Sequence, residues 1–477
     1  MNEEVTTFGP ARGNVMERKP LIANSRSAKW ITAHTVGLIE GKPLRIWWIL
    51  LTISSALALF LPLELTYLVS TGVGIWGSNN TVAWAWDITN FVWWVGIAHA
   101  GTAISAIFFL TRQKWTNAIN RIAEAMTIFA IGCAGVFPAF HVGRVWMVWF
   151  LNPAPYYNDI WQNFKSPLFW DVFAVTAYLT VSALFWYYGM IPDLASVRDK
   201  VSGKVRKIAY GIAALGWRGS GRHWFYYEKG YVLLAGICSA LVFSVCGIVS
   251  MDFATSVIPG WHTTIFPMYF GVGAVYGGFA MLFILIIPTR HFFKLHDLIT
   301  EKHIDNMCKV TIIMSLCIGY IYLMEYFTAY YSGNPYEWWL VFFNRSTPSG
   351  APYWWCFWIM VSFNAIVPQI LWFKAVRRNT LFLFFLMFIP SIGMWYERFV
   401  IIVTGIQRDY LPSSWHYFVP TINDVLLYIG TIGFFFTAFL LFLRFLPIFN
   451  MVEVKNTLPE ANPHHDANHE AKGGSHE

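Results

Sequence analysis

Apolar runs about twenty residues long alternate with short polar segments along almost the whole chain. Ten such runs stand out, at roughly 46–68, 90–111, 121–143, 168–190, 231–252, 266–288, 309–330, 353–373, 381–403 and 423–446. At a rise of 1.5 Å per residue, each can cross about 30 Å of hydrocarbon. The runs are continuously apolar rather than alternating, which predicts helices and not barrel strands. Composition agrees: 56% of residues are hydrophobic and 12% charged. That is too little charge to cover the surface of a soluble 477-residue protein. The expected fold is an all-α polytopic membrane protein with ten transmembrane helices.

Basic residues set the expected orientation. An even number of spans puts both termini on one side, and 28 of the 33 Lys and Arg fall in the tails and loops of that side. The other five are Arg144, Lys165, Arg345, Arg398 and Arg408. The positive-inside rule then predicts cytoplasmic termini. The net charge of +7 is therefore topological, and no nucleic-acid partner is expected. Residues 1–45 lack a short apolar core and cleavage site, so they read as a cytoplasmic arm and not a signal peptide. The polar, His-containing stretch 451–477 reads as a disordered cytoplasmic tail.

The middle of the chain repeats itself. Cys133 precedes His141 by eight residues, and Cys317 precedes Glu325 by the same eight. PLFWD at 167–171 is matched by PYWWC at 352–356, and GIAHAG at 96–101 by GAVYGG at 273–278. An ordered series of this kind predicts two four-helix units in parallel orientation, over 90–252 and 253–403. One flanking helix and outer loop lie at 46–89, and an outer loop and last flanking helix at 404–450. The repeat is chemically lopsided. His141 and Asp171 of the first unit correspond to Glu325 and Cys356 of the second.

Charge within hydrocarbon costs about 3 kcal/mol or more per residue, so ionisable groups in spans point to function. His141, Asp171, Asp252, Glu325, Glu397 and Arg398 all read as lying near the outer face. FPAFHVGR at 137–144 sets His141 and Arg144 one turn apart, and PLFWD places Asp171 at similar depth on the next helix. SMDFA and IPGWHTT add Asp252 and His262 on the same side. Imidazole beside carboxylate at an apolar boundary suits reversible proton transfer, with Phe140 and Trp170 among the walls. The competing reading of His141 and Asp171 is a structural interhelical pair. Glu397 and Arg398 can neutralise each other, His99 reads chiefly as a helix-packing group, and Asp87 as an N-cap.

The six Cys form neither C-x-x-C nor C-x-x-C-H, which leaves iron–sulfur ligation and covalent haem attachment unsupported. Only His99 and His141 lie within spans, at different depths, so a haem b is not expected, nor is a bound metal.

The ten-span plan, the duplicated units, GIAHAG, FPAFHVGR and PLFWD together resemble the NrfD/PsrC-like quinone-interacting membrane subunits, and among them those of bacterial alternative complex III. The resemblance covers about 45–446 and implies a substrate, menaquinol or ubiquinol, bound near the periplasmic face of a bacterial inner membrane. It implies His141 and Asp171 as the quinol-site pair, with Asp252 and His262 as companions. It further implies partners: an iron–sulfur subunit, multihaem cytochrome c subunits and a second NrfD-like membrane subunit, with a cytochrome c or terminal oxidase beyond them. Proton conduction would involve His99, Glu325, Glu397 and Arg398. Two other classes stay open on the residues alone. One is an ion or proton transporter, which calls for broken helices and polar groups near the midplane. The other is a structural membrane anchor for an extrinsic redox enzyme.

Overall fold

The computed structural model describes residues 21–24, 26–147, 164–348, 352–408, 410–458 and 461. Among these, ten helices are long and apolar enough to cross a membrane. They are α1 Arg45–Thr71, α2 Trp86–Leu110, α3 Asn120–His141, α4 Pro167–Lys200, α5 Gly221–Ala254, α6 Phe266–Phe292, α7 Glu301–Tyr331, α8 Trp354–Trp372, α9 Thr380–Ile406 and α10 Ile422–Phe445. No strand occurs among the described residues. All ten predicted runs are therefore helices, and the chain is an integral multi-pass membrane protein. With no water available in the hydrocarbon region, only intrahelical bonding satisfies the backbone of such runs.

Helix adjacency repeats along the chain. α2 packs on α3, α3 on α4, α4 on α5 and α5 on α2; α6, α7, α8 and α9 make the same four contacts in the same order. Across the halves α5 meets α6 and α9 meets α2, while α2 and α6 cross each other at the centre. We take α2–α5 and α6–α9 as the two units. α2 and α6 are the most buried helices and α1 the least. The central crossing needs glycine: a Cβ on Gly278 would lie 1.8 Å from the Cβ of Ala100, inside the GIAHAG segment. α1 and α10 pair at the flank.

Three of the spanning helices are interrupted inside their apolar runs. α1 breaks between Ala58 and Phe60, where Pro62 would clash with the carbonyl of residue 58 and offers it no N–H. α2 contains a π-helical turn at Ala103–Ile107, and α8 has one at Ser362–Ile366 followed by 3-10 geometry over Val367–Trp372. Pro288 and Pro390, by contrast, sit inside continuous helices.

The chain next to both termini is ordered against the bundle. Ser27 caps a helix at Ala28–Glu40, whose Ile31, Val36 and Ile39 are buried, and Arg26 pairs with Asp297 at 2.7 Å. The expectation of disorder from 451 onward is corrected for its first part. Met451–Lys455 forms a helical turn with Met451 and Val454 buried. The histidines of 462–477 lie outside the described residues. Two apolar side chains and a capped turn overcame the polar composition that suggested disorder.

What ties that turn down is a buried charge network at the end of the bundle nearest the termini. Arg121 is fully buried and pairs with Glu124 at 2.8 Å and Asp193 at 3.0 Å. Tyr231 donates to Glu124, Asn120 donates to Glu453 at 2.7 Å, and the Met451 amide donates to Asp193 at 3.2 Å. Removing one partner of such a pair strands a charge in a dry interior. Arg121→Met should therefore lower the unfolding free energy by about 3–5 kcal/mol. Thermal unfolding in detergent reads this as a clear drop in midpoint, partly restored by adding Asp193→Asn; an unchanged midpoint would show that the network contributes nothing.

Candidate functional site at the face opposite the termini

The four helices of the first unit each deliver one ionisable group to the end of the bundle opposite the termini. α3 stops at His141 because Gly143 follows with φ +74° and its amide bonds the Phe140 carbonyl, a glycine-closed C-terminus. A Cβ there would also press to 2.9 Å from Val73. α2 starts nearby, with Asp87 in its first turn. Asp87 is 4% exposed, accepts a hydrogen bond from the Ala85 amide at 3.3 Å and forms a short hydrogen-bonded ion pair with His141 Nδ1. The carboxylate read from sequence as an N-cap is thus the direct partner of His141. An Asp–imidazole bond at Nδ1 fixes the ring and leaves Nε2 as its working atom.

Asp171, in the second turn of α4, pairs elsewhere. Its carboxyl is in hydrogen-bond contact with that of Asp252, near the end of α5. Two carboxyl groups can bond each other only with a proton between them. Oδ1 of each is buried and has no other hydrogen-bond partner among the described residues. His141 and Asp171 are therefore in separate acid–base pairs, His141–Asp87 and Asp171–Asp252, at the ends of one four-helix unit.

Apolar groups surround this end. Phe140 is half-buried, and Trp170 is 37% exposed with its indole N–H on the Phe164 carbonyl at 2.8 Å. Phe164, Phe169 and Phe173 meet edge to face in series beside it. Arg144 is exposed on the turn that follows α3.

The remaining predicted residues belong to other places. His262 lies in the second unit, on the loop before α6, where it lines a cavity of about 770 Å³ together with Glu325. Glu325 is held by Arg345 at 2.6 Å. Glu397 and Arg398 are not at the face as expected. Glu397 is nine residues inside the end of α9 at Ile406, about 13 Å down. Fully buried, it accepts from the Tyr322 hydroxyl at 2.5 Å, and Asn364 donates to that hydroxyl at 2.9 Å. Arg398 approaches Glu397 at 3.4 Å and lies 4.2 Å from the Phe270 ring centroid. His99 bonds the Val95 carbonyl at 2.7 Å through Nδ1 and stacks on Tyr178 at 4.5 Å. Its Nε2 is buried with no partner among the described residues.

Sequence reasoning missed Asp87 as a site residue and Arg345 as the partner of Glu325, and at the other end of the bundle the Arg121–Glu124–Asp193 network. Asp87 was recoverable. Consecutive spans are antiparallel, so the start of α2 and the end of α3 share a depth. Among the described residues no group of three or more His, Cys, Asp or Glu is arranged to hold a metal ion.

The chain is thus a membrane protein of two repeated four-helix units, with acid–base pairs at one end of the first. The family model "Polysulphide reductase, NrfD" matches residues 74–408, well over half of the chain, and the protein belongs to that family. The match leaves α1 and α10, the flanking pair, outside it. The chain is also similar to the Hdr-like menaquinol oxidoreductase integral membrane subunit of Archaeoglobus fulgidus, at 21% identity over 426 residues, covering 87% of this chain and 95% of that one.

The two-carboxyl contact makes a testable distinction. Asp252→Asn keeps a donor for Asp171 and should leave stability within about 1 kcal/mol, whereas Asp252→Leu strands a buried carboxyl and should cost about 1–3 kcal/mol. Denaturation of the two variants side by side checks this; equal stability would mean the carboxyls do not depend on each other.

Proposed function

We propose that this chain is the quinol-binding and quinol-oxidising membrane subunit of a multi-subunit respiratory quinol:acceptor oxidoreductase of the alternative complex III type, in the position of an ActC-like subunit. The observation that carries the reading is the pair of acid–base couples, His141–Asp87 and Asp171–Asp252, drawn from all four helices of the first unit. Membership of the NrfD family, and similarity to a subunit described as a menaquinol oxidoreductase, support quinol as the ligand class.

The chemistry follows from the geometry. Oxidising a quinol to a quinone releases two protons and two electrons. A hydroxyl of the ring donates to His141 Nε2, the nitrogen that Asp87 does not occupy. The positive charge that develops on the imidazole is stabilised by Asp87. Asp171 and Asp252, already sharing a proton, relay protons outward. Phe140, Phe169 and Trp170 supply apolar and aromatic walls for the ring. Both electrons leave towards an iron–sulfur partner docked on this face and on to multihaem cytochrome c, with a second NrfD-like subunit alongside. In this reading both termini are cytoplasmic and the site faces the periplasm of a bacterial inner membrane. Glu325 near the face, with Glu397, Arg398 and His99 deeper in the bundle, forms a proton-handling route, favoured by the buried Glu397–Tyr322–Asn364 chain.

Asp171→Asn tests the reading, because it preserves shape and removes the ionisable carboxyl. In the whole purified complex, quinol-to-acceptor turnover should fall by about tenfold or more, with subunit content and haem spectra unchanged. Wild-type turnover in that variant would remove Asp171 from the mechanism and favour the membrane-anchor reading.

A further inference from the structure

The second unit carries a cleft that the oxidation site does not use. It lies between α6 and α7 on the face opposite the termini, roofed by the loop around His262 and by the Leu340–Asn344 turn. Its volume is about 770 Å³. Polar groups gather at the top: His262, Thr263, Glu325 and Glu337. Below them the walls are apolar, and three lining residues, Met268, Leu316 and Tyr320, are 68%, 49% and 61% exposed on the surface that lipid would cover. The space is therefore polar above, apolar below and open sideways, the shape of an amphiphile with its head near the aqueous boundary.

Charge narrows the occupant. Two carboxyls and one imidazole line the cleft, and among its lining residues there is no Lys or Arg. The nearby guanidinium of Arg345 is already engaged by Glu325 at 2.6 Å. A phosphate headgroup would meet the Glu337 carboxylate and a guanidinium, Arg345, whose charge Glu325 already offsets. A neutral head bearing hydroxyl or carbonyl oxygens has no such penalty and finds both donors and acceptors there. The repeat adds a second argument, since Glu325 occupies the register of His141. We propose that this cleft binds a second prenylated quinone or quinol, its head between His262 and Glu325 and its tail leaving between α6 and α7. This is a binding site, separate from the proposed oxidation site in the first unit, and it stands whether or not that assignment holds.

Cys317 provides the probe. It lines the cleft, and it is the one free cysteine of the six that is not buried. In the whole complex, maleimide labelling of Cys317 should slow several-fold as a long-tailed quinone is titrated in, and should not respond to equal phosphatidylglycerol. Glu325→Gln and His262→Ala should each raise the half-protecting quinone concentration by about tenfold, the size of one lost hydrogen bond to a polar head. Quinol turnover is followed in the same samples. Labelling that ignores quinone while turnover persists overturns the second site and leaves the first intact. Equal protection by phosphatidylglycerol makes the cleft a phospholipid site and overturns the proposal equally. Quinone protection of Cys317 in a complex without quinol turnover supports the cleft and counts against the oxidation reading. Wild-type labelling alone decides the matter should either substitution impair folding.

Discussion

Hydrocarbon does not tolerate an unpaired charge, and nearly every functional feature of this fold follows from that. The principal buried ionic groups have partners: His141 on Asp87, Asp171 on Asp252 and Arg121 on Asp193 across neighbouring helices, Glu325 on Arg345 of the turn after Asn344, and Glu397 beside Arg398 on one helix. These pairs fix which helix ends meet, at which depth and with which rotamers. They also keep polar atoms in reserve, such as His141 Nε2, which the Asp87 pair does not use. A ligand hydroxyl can use such atoms without first breaking the pairing that holds the helices together.

The duplicated helix packing gives the protein two similar scaffolds with different chemistry. In the first, an imidazole and three carboxyls lie at the helix ends, where we propose that protons move to and from a bound ring. In the second, the corresponding position holds Glu325, tied to Arg345, beside a lateral cleft, and a buried Glu397–Tyr322–Asn364 chain lies beneath. The central α2–α6 crossing, close enough to require Gly278 against Ala100, holds the two scaffolds together. The flanking helices α1 and α10 lie outside the family match and pack on each other.

Helix number and position were legible in the sequence because lipid imposes length and continuity on a span. His141, Asp171 and Asp252 stood out in the sequence for the same reason, being costly where they stand. Their partners were less so. Depth along a helix can be read by counting, but the direction a side chain faces depends on helix rotation, which no run of apolar residues encodes. Hence His141 was matched with Asp171 instead of Asp87, and His262 with the first unit instead of the second. Glu397 was placed too near the surface because α9 extends three residues beyond the apolar run that marked it, to Ile406. The Met451 turn was hidden because its order comes from a tertiary network, not from its own composition.

The central claim is that Asp87 makes His141 competent towards the quinol, so the two act as one unit. A double-mutant cycle of kcat/KM for quinol in the whole complex tests it, using Asp87→Asn, His141→Gln and the pair together. Residues that act as a unit show strongly non-additive losses. The account predicts that each single change costs at least about tenfold and that the double variant is little worse than His141→Gln alone. Independent, multiplying losses, or a silent Asp87→Asn, would contradict it.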